Sequence, residues 1–337
     1  MTPSEAAPRG VLIVNPAFLG DAVFDAALAR ASKARWPHTP VGLVVRPPAQ
    51  HLVPFMPYVD RAHVFDKRGQ DRGLKGLRRI ARQIRSENYD LALVPHPSLR
   101  STCLAQLAGI PQRVGIGQSW LAGRPLTRRL GAVSGRGFVA ARLAMLDAQE
   151  PTSLQGVLRC DPPARSSERC RLGVVLGSQW ATKRWPLARA QAWAGQLDAT
   201  RFELLLLGAP NEQPLIDAFK AGLEPDHSLH LIDGIGGGIA ELVRQVASCD
   251  VLVGGDTGPL HIARALGVPT VALFGPTDPG LHSTEALDRV LTVALSCRPC
   301  SAHGHHRCPE VHHRCLTDLG GERVHGAVQD ILSTRAP

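Results

Sequence analysis

The chain has 337 residues, 44% hydrophobic and 20% charged, enough apolar content for about two ordinary domains and too much for a disordered chain. No apolar run approaches the ~20 residues of a membrane-spanning helix, and the first ten residues lack the apolar core of a secretory signal, so a cytoplasmic protein is expected. The formal net charge of +9 (38 Lys and Arg against 29 Asp and Glu) favours a polyanionic partner: nucleic acid, an anionic membrane surface or a phosphorylated substrate.

Taken in order, a disordered-looking start leads into a short buried strand at residues 11–15. The loop Pro16-Ala17-Phe18-Leu19-Gly20-Asp21 follows, then a helix through about Arg35, stopped by Pro37, and a strand at 41–46. A third strand at 62–65 precedes a helix over 73–87. Leu74, Leu77, Ile80, Ala81 and Ile84 form one apolar stripe there, and Arg72, Lys75, Arg78, Arg79, Arg82 and Arg85 occupy the rest. A strand at 90–95, a helix from Ser98, a strand at 113–116 and a helix over 138–148 complete a parallel α/β half.

Residues 159–171 are polar and proline-containing and read as a linker. The pattern then restarts. Strands are expected at 172–177, 202–208 and 228–232, with helices at 186–198, 210–221 and from the glycine cluster at 234–238 to Ser248. Neither half carries a Gly-x-Gly-x-x-Gly loop after its first strand, which points away from a dehydrogenase. Ligands of such sheets bind at the carboxyl ends of the strands, so a site between two facing domains is expected.

Residues 250–279 are the most informative stretch. An apolar run at 251–253 stops at Gly254 and Gly255. Asp256 and Thr257 follow, and Pro259 opens an apolar-periodic segment that Gly267 closes before a second apolar run, 270–274. The pattern is strand, tight loop, short helix, strand, with Thr257 as N-cap and Pro259 in the first turn. Free backbone N–H groups and a helix dipole then meet at a strand end, an arrangement suited to phosphate.

Three side chains could carry chemistry. Asp21 sits in the first strand-to-helix loop, where a carboxylate either caps the helix or acts as a general base. Lys183, in Gly177-Ser178-Gln179-Trp180-Ala181-Thr182-Lys183-Arg184-Trp185-Pro186, is placed to neutralise a diphosphate leaving group; the plainer reading is a solvated lysine beside Arg184. His261 lies one helical turn beyond Thr257 and faces the same loop mouth, although a lone histidine more often packs or caps.

The block Asp256-Thr257-Gly258-Pro259-Leu260-His261 with Phe274-Gly275-Pro276-Thr277 resembles the ADP-heptose:lipopolysaccharide heptosyltransferases, glycosyltransferase family nine. Leu19-Gly20-Asp21, the segment from Tyr89 to Val94 with Ser98-Leu99-Arg100-Ser101, Lys183-Arg184-Trp185-Pro186 and Cys297-x-x-Cys300 fall in family order. The cysteine segment is most like that of the second heptosyltransferase. The likeness runs from about residue 10 to 330. It implies a GT-B fold: α/β, two facing Rossmann-like domains with parallel sheets, residues 1–165 binding acceptor and 166–337 the nucleotide sugar. It further implies an inverting, metal-independent transfer of L-glycero-D-manno-heptose from ADP-heptose to the lipopolysaccharide inner core. Asp21 would be the base and Lys183 would hold the donor diphosphate. Ser178, Asp256, Thr257 and Gly258 would complete the cradle with His261 beside it, and Glu212 would lie near the adenosine ribose. Two departures stand out: Ala26 replaces a usual proline, and Asn15 a common basic residue.

Cys297, Cys300, Cys308 and Cys315, spaced x2, x7 and x6 among five histidines, could supply four soft ligands to zinc. The second pair lacks a Cys-x2-Cys knuckle and the resemblance brings no metal, so no cofactor is expected and ADP-heptose is a substrate. A nucleic-acid-binding protein is the alternative from a different class. Aromatic residues are only 4% and do not interleave the basic stretches, so no nucleic acid is expected. The partners are then an ADP-sugar and a core glycolipid. The basic helix, with Arg124, Arg128 and Arg129, could meet phosphorylated glycolipid or the cytoplasmic face of the inner membrane, although a solvated face is the commoner role of such a helix.

Overall fold

A computed structural model describes residues 6–96, 98–117, 119–131, 137–148, 151–224, 227–282 and 284–335. Residues 1–5, in the stretch expected to lack structure, lie outside the described residues. The chain divides into two compact units, Met1–Arg159 with Gly280–Ser283, and Cys160–Pro279 with Thr284–Pro337.

Each unit is built on a parallel sheet of six strands. In the first these are β1 (Val11–Val14), β2 (Val41–Val45), β3 (Arg61–Val64), β4 (Leu91–Val94), β5 (Gln112–Ile116) and β6 (Arg128–Leu130), in the order β3-β2-β1-β4-β5-β6. In the second they are β7 (Cys170–Val175), β8 (Phe202–Gly208), β9 (His230–Ile235), β10 (Val251–Gly255), β11 (Thr270–Leu273) and β12 (Arg289–Leu291), in the order β12-β11-β10-β7-β8-β9. Both orders are the doubly wound 3-2-1-4-5-6, which reverses between β1 and β4 and between β7 and β10. Loops diverge at those points and leave a crevice for ligand.

The central strands are apolar throughout because helices cover both faces of a parallel sheet. Every residue of β1, β2, β4, β10 and β11 is buried. The core of the first unit gathers Leu12, Val14, Val44, Phe65, Ile80, Ile84 and Leu104. That of the second is built on Trp185, Trp193, Phe202 and Phe219, with the indole N–H of Trp185 donating to the Leu319 carbonyl at 3.0 Å.

Several expected boundaries move. The helix read at 138–148 is Phe138–Leu143 followed by a 3-10 turn, Ala144–Leu146, which Asp147 ends in the left-handed region at φ 51°. Those at 186–198 and 210–221 shorten to Leu187–Ala194 and Gln213–Ala221, the latter after a 3-10 turn at Pro210–Glu212. Cys170 and Arg171, read as linker, already pair with Phe202 and Glu203 in the sheet. The glycines expected to end the strand before β10 instead extend it to Ile235, because Gly234 pairs with Leu207. In the basic helix (Gly73–Arg85) Leu77, Ile80, Ala81 and Ile84 are buried as expected, but Leu74, in the first turn, is 69% exposed.

Candidate active site

In the first unit, β1 runs into the loop that starts the helix Leu19–Arg35, so Asp21 falls in the first helical turn. One carboxylate oxygen accepts from the Phe18 N–H at 3.3 Å, the capping role that sequence allows at this position. The other accepts from Arg142 Nη2 at 3.2 Å, and the side chain keeps 28% of its surface exposed. Asp25 lies one turn on and is fully buried. It accepts from Arg142 Nε and from Asn15 Nδ2, both at 2.7 Å.

In the second unit, Lys183 follows β7 and Asp256 follows β10, on the two sides of the point where strand order reverses. The Lys183 ammonium donates to Asp256 Oδ2 at 2.5 Å. The Thr277 hydroxyl donates to the same oxygen at 2.9 Å, and His261 Nε2 lies 3.3 Å from Oδ1. Asp256 and His261 are buried. Burial pushes the His261 imidazole below its ordinary value, against the opposing pull of the Asp256 hydrogen bond. The Asp256 carboxylate thus orients an ammonium, a hydroxyl and an imidazole at one point.

The helix Gly258–Leu266 begins beside this cluster with Thr257 at its N-cap and proline in its first turn, as expected. The Thr257 hydroxyl, however, makes no cap bond. It donates back to the Gly255 carbonyl at 3.3 Å, leaving the first-turn N–H groups without a Thr257 cap. Gly255 is required by close approach: a Cβ there would lie 2.3 Å from the Lys183 carbonyl oxygen.

Ser178 is buried at the end of the first loop. Its hydroxyl accepts from the Trp180 N–H at 3.2 Å, and its carbonyl accepts from Arg184 Nε at 2.9 Å and Nη2 at 2.7 Å. Arg184 is therefore a brace of the loop. The Glu212 carboxylate accepts from the Ala209 N–H at 2.9 Å and lies over Gly177, where a Cβ would meet Glu212 Oε1 at 1.9 Å. The structure thus brings Lys183, Asp256 and His261 into contact, sets Thr257 and Gly258 at the adjoining helix start, and places Ser178 and Glu212 at neighbouring strand ends. Asp21 belongs to the other unit.

Thr182, Thr277, Asp25 and Arg142 were missed as participants. Only Thr277 had a sequence signal, as the last residue of the Gly-Pro-Thr turn; Arg298 donates to the Gly275 carbonyl and holds that turn. The Cys/His segment meets the Lys183 loop. Thr182 Oγ1 donates to the His305 carbonyl at 2.9 Å and accepts from the His305 N–H at 2.8 Å, His313 Nε2 lies 2.9 Å from the Thr182 carbonyl, and the Trp180 and His306 rings meet at a tilt with centroids 4.9 Å apart. The four thiols share a neighbourhood: burial first, and then the other three thiols, push Cys315 up to about 11. Among the described residues, no three of these thiols and imidazoles come within 4.8 Å of one another.

The model of the family "Glycosyltransferase family 9 (heptosyltransferase)" matches residues 136–313. The lipopolysaccharide heptosyltransferase 2 of Salmonella typhimurium is 24% identical over 349 residues, covering 96% of this chain and 98% of that protein. Among solved structures, a family 9 glycosyl transferase from Veillonella parvula matches with a TM-score of 0.84 at 21% identity, covering 99% of each chain. ADP-heptose lps heptosyltransferase II of E. coli matches at 0.76 and 22% identity, covering 97% of this chain and 100% of that one. The fold class is therefore GT-B, with a Rossmann-like parallel sheet in each unit. The chain belongs to glycosyltransferase family 9, the heptosyltransferases, and is a glycosyltransferase.

Proposed function

We propose that the protein transfers heptose from ADP-L-glycero-D-manno-heptose to the inner core of lipopolysaccharide with inversion at the anomeric carbon. The first unit binds the acceptor and the second the nucleotide sugar. Asp21 takes the proton from the acceptor hydroxyl, whose oxygen attacks the anomeric carbon as the bond to the ADP phosphate breaks. ADP leaves with the electron pair, and Lys183 with the first-turn N–H groups of the helix Gly258–Leu266 stabilises the charge it gains. Ser178, Thr257, Gly258 and His261 line the donor, Asp256 holds Lys183 in place, and Glu212 serves the ribose.

The observation that carries this reading is the held ammonium beside a helix N-terminus at the strand-order reversal of the second sheet, built from the block that resembles the family. The relatives named lipopolysaccharide heptosyltransferase 2 and a solved structure described as a heptosyltransferase with ADP support the donor and the acceptor class. No helix among the described residues is long and apolar enough to cross a membrane. The acceptor is a glycolipid, so we place the enzyme in the cytoplasm with peripheral contact at the inner membrane. The reaction as written needs no cofactor.

The test is ADP release from ADP-heptose with heptose-deficient core glycolipids as acceptors. Turnover on one of them is expected. No turnover on any core acceptor, together with no binding of ADP-heptose, defeats the assignment.

A further inference from the structure

Outside the donor cluster, Arg142 is a buried charged group at the centre of a hydrogen-bond network. It comes from the helix Phe138–Leu143, is 5% exposed, and spends its guanidinium on three acceptors: Asp25 Oδ1 through Nε at 2.7 Å, the Phe138 carbonyl through Nη1 at 3.0 Å, and Asp21 Oδ1 through Nη2 at 3.2 Å. Its plane lies over the Phe24 ring at 5.3 Å, and Asn15 closes the network on the far oxygen of Asp25. Phe24 and Phe138 pack at 5.4 Å, and the His282 ring meets Phe138 edge-on at 5.0 Å and Phe24 at a tilt at 6.1 Å.

Asp21 and Asp25 are four residues apart on one helix and face the same side, so as two carboxylates they repel. Arg142 sits between them and leaves one net negative charge. Asp25 is fully buried, so that charge resides on the exposed member, Asp21. A lone arginine beside a general base would weaken it; an arginine already neutralised by a second carboxylate still offers its hydrogen bond. Each Asp21 oxygen accepts one bond here, which leaves lone pairs on both for an incoming hydroxyl.

We propose that Arg142, anchored by Asp25 and Asn15, is the positioning residue of the Asp21 carboxylate, fixing its direction while Asp25 keeps the guanidinium charge from weakening it as a base. This rests on the reading of Asp21 as the base. It also accounts for Asn15, which stands where the resemblance leads one to expect a basic residue: a second cation there would compete with Arg142 for Asp25.

The experiment measures kcat, donor KM and the pH–rate profile of the full-length protein, with ADP-heptose and a core glycolipid. The variants are Arg142→Lys, Asp25→Asn, the double variant Arg142→Gln with Asp25→Asn, and Asp21→Asn. Lysine keeps the charge but cannot reach both carboxylates in the fork geometry, so kcat falls by about 10- to 100-fold with donor KM changed by less than about twofold. The double variant, which buries no unpaired charge, falls by a similar factor. Asp25→Asn leaves the guanidinium facing Asp21 alone, and the acid limb of the kcat profile moves down by about one pH unit. Folded Arg142→Lys and double variants with wild-type kcat and an unmoved acid limb in Asp25→Asn overturn the proposal, and so does a loss of kcat matched by an equal rise in donor KM. If the double variant does not fold, Arg142→Lys decides alone. Asp21→Asn separates the two readings. A full rate in that variant removes the base itself, whereas a loss of about 10²- to 10⁴-fold with normal Arg142 variants removes only the positioning role.

Discussion

Lys183 and Asp256 form an ion pair of 2.5 Å in which the ammonium is 11% and the carboxylate 5% exposed. Such a pair costs desolvation, and removing one partner leaves the other buried and uncompensated. In the proposed reaction the ammonium also meets the departing ADP. Lys183→Met therefore carries two separable losses. We expect kcat to fall by about 10²- to 10³-fold, the size of one lost leaving-group donor, and the melting temperature to fall as well. Adding Asp256→Asn should recover most of the stability and none of the rate. A double variant that regains activity would show that Lys183 acts through the fold alone.

Two glycines at strand ends differ in what they face. A Cβ at Gly255 would lie 2.3 Å from the Lys183 carbonyl oxygen, which is backbone, whereas a Cβ at Gly177 would meet the end of the Glu212 side chain, which can swing away. Gly255→Ala is expected to cost about 1–3 kcal/mol and to displace the Lys183 loop. Gly177→Ala is expected to cost less stability but to disturb the Glu212 carboxylate. Urea unfolding of both, read beside donor KM, checks the ranking; equal stability losses would contradict it.

Asp25 makes a signed prediction about pH. Burial raises its carboxyl from 3.8 to about 6, although the Arg142 charge pulls it the other way. The folded chain thus binds a proton that the unfolded chain has released, and stability falls as pH rises through that window and levels off above it. The difference, about 2 pH units, corresponds to about 3 kcal/mol. The double variant Arg142→Gln with Asp25→Asn, neutral at both positions, should lack this slope. The stability of the double variant relative to wild type, read from unfolding midpoints at pH 4.5 and 7.5, should then improve with rising pH; a constant difference would rule it out.

The central strands were legible because parallel strands covered on both faces read as unbroken apolar runs, as in Val-Leu-Ile-Val of β1. The edge strands β6 and β12 were missed for the complementary reason: each has three residues and begins with arginine. Charge alone likewise did not show which arginines are paired within the fold. Arg128, read as a contact for an anionic surface, makes a two-pronged pair with Asp147 at 3.0 and 2.7 Å; Arg129 donates to the Gly117 carbonyl at 2.9 Å; and Arg79 pairs with buried Asp71. Arg142 and Asp25 lie 117 positions apart, in stretches rich in alanine, and no local pattern links them. Asp256, Thr257 and His261 were legible because a strand end, a tight loop and a helix start place them together within six residues. The cysteine and histidine spacing was visible too, as a zinc reading that was weighed and not favoured; what no spacing showed is that His305, His306 and His313 contact the loop of Lys183.

That last contact carries a prediction of its own. Thr182 is buried next to Lys183, and its hydroxyl makes two bonds to the backbone of His305, which its own N–H reinforces at 3.1 Å. The loop is therefore tied to the C-terminal segment one residue before the ammonium. Thr182→Val keeps the side chain's shape and removes both hydroxyl bonds, each worth about 1 kcal/mol net. The looser loop must be ordered again when the donor binds, so the loss belongs in binding. ADP affinity by calorimetry should fall by about 3- to 30-fold, while kcat at saturating donor falls by less than about threefold. A folded variant with unchanged ADP affinity would mean that the segment packs against the loop without setting its geometry. A collapse of kcat at unchanged affinity would move Thr182 from holding the donor to assisting the departure of ADP.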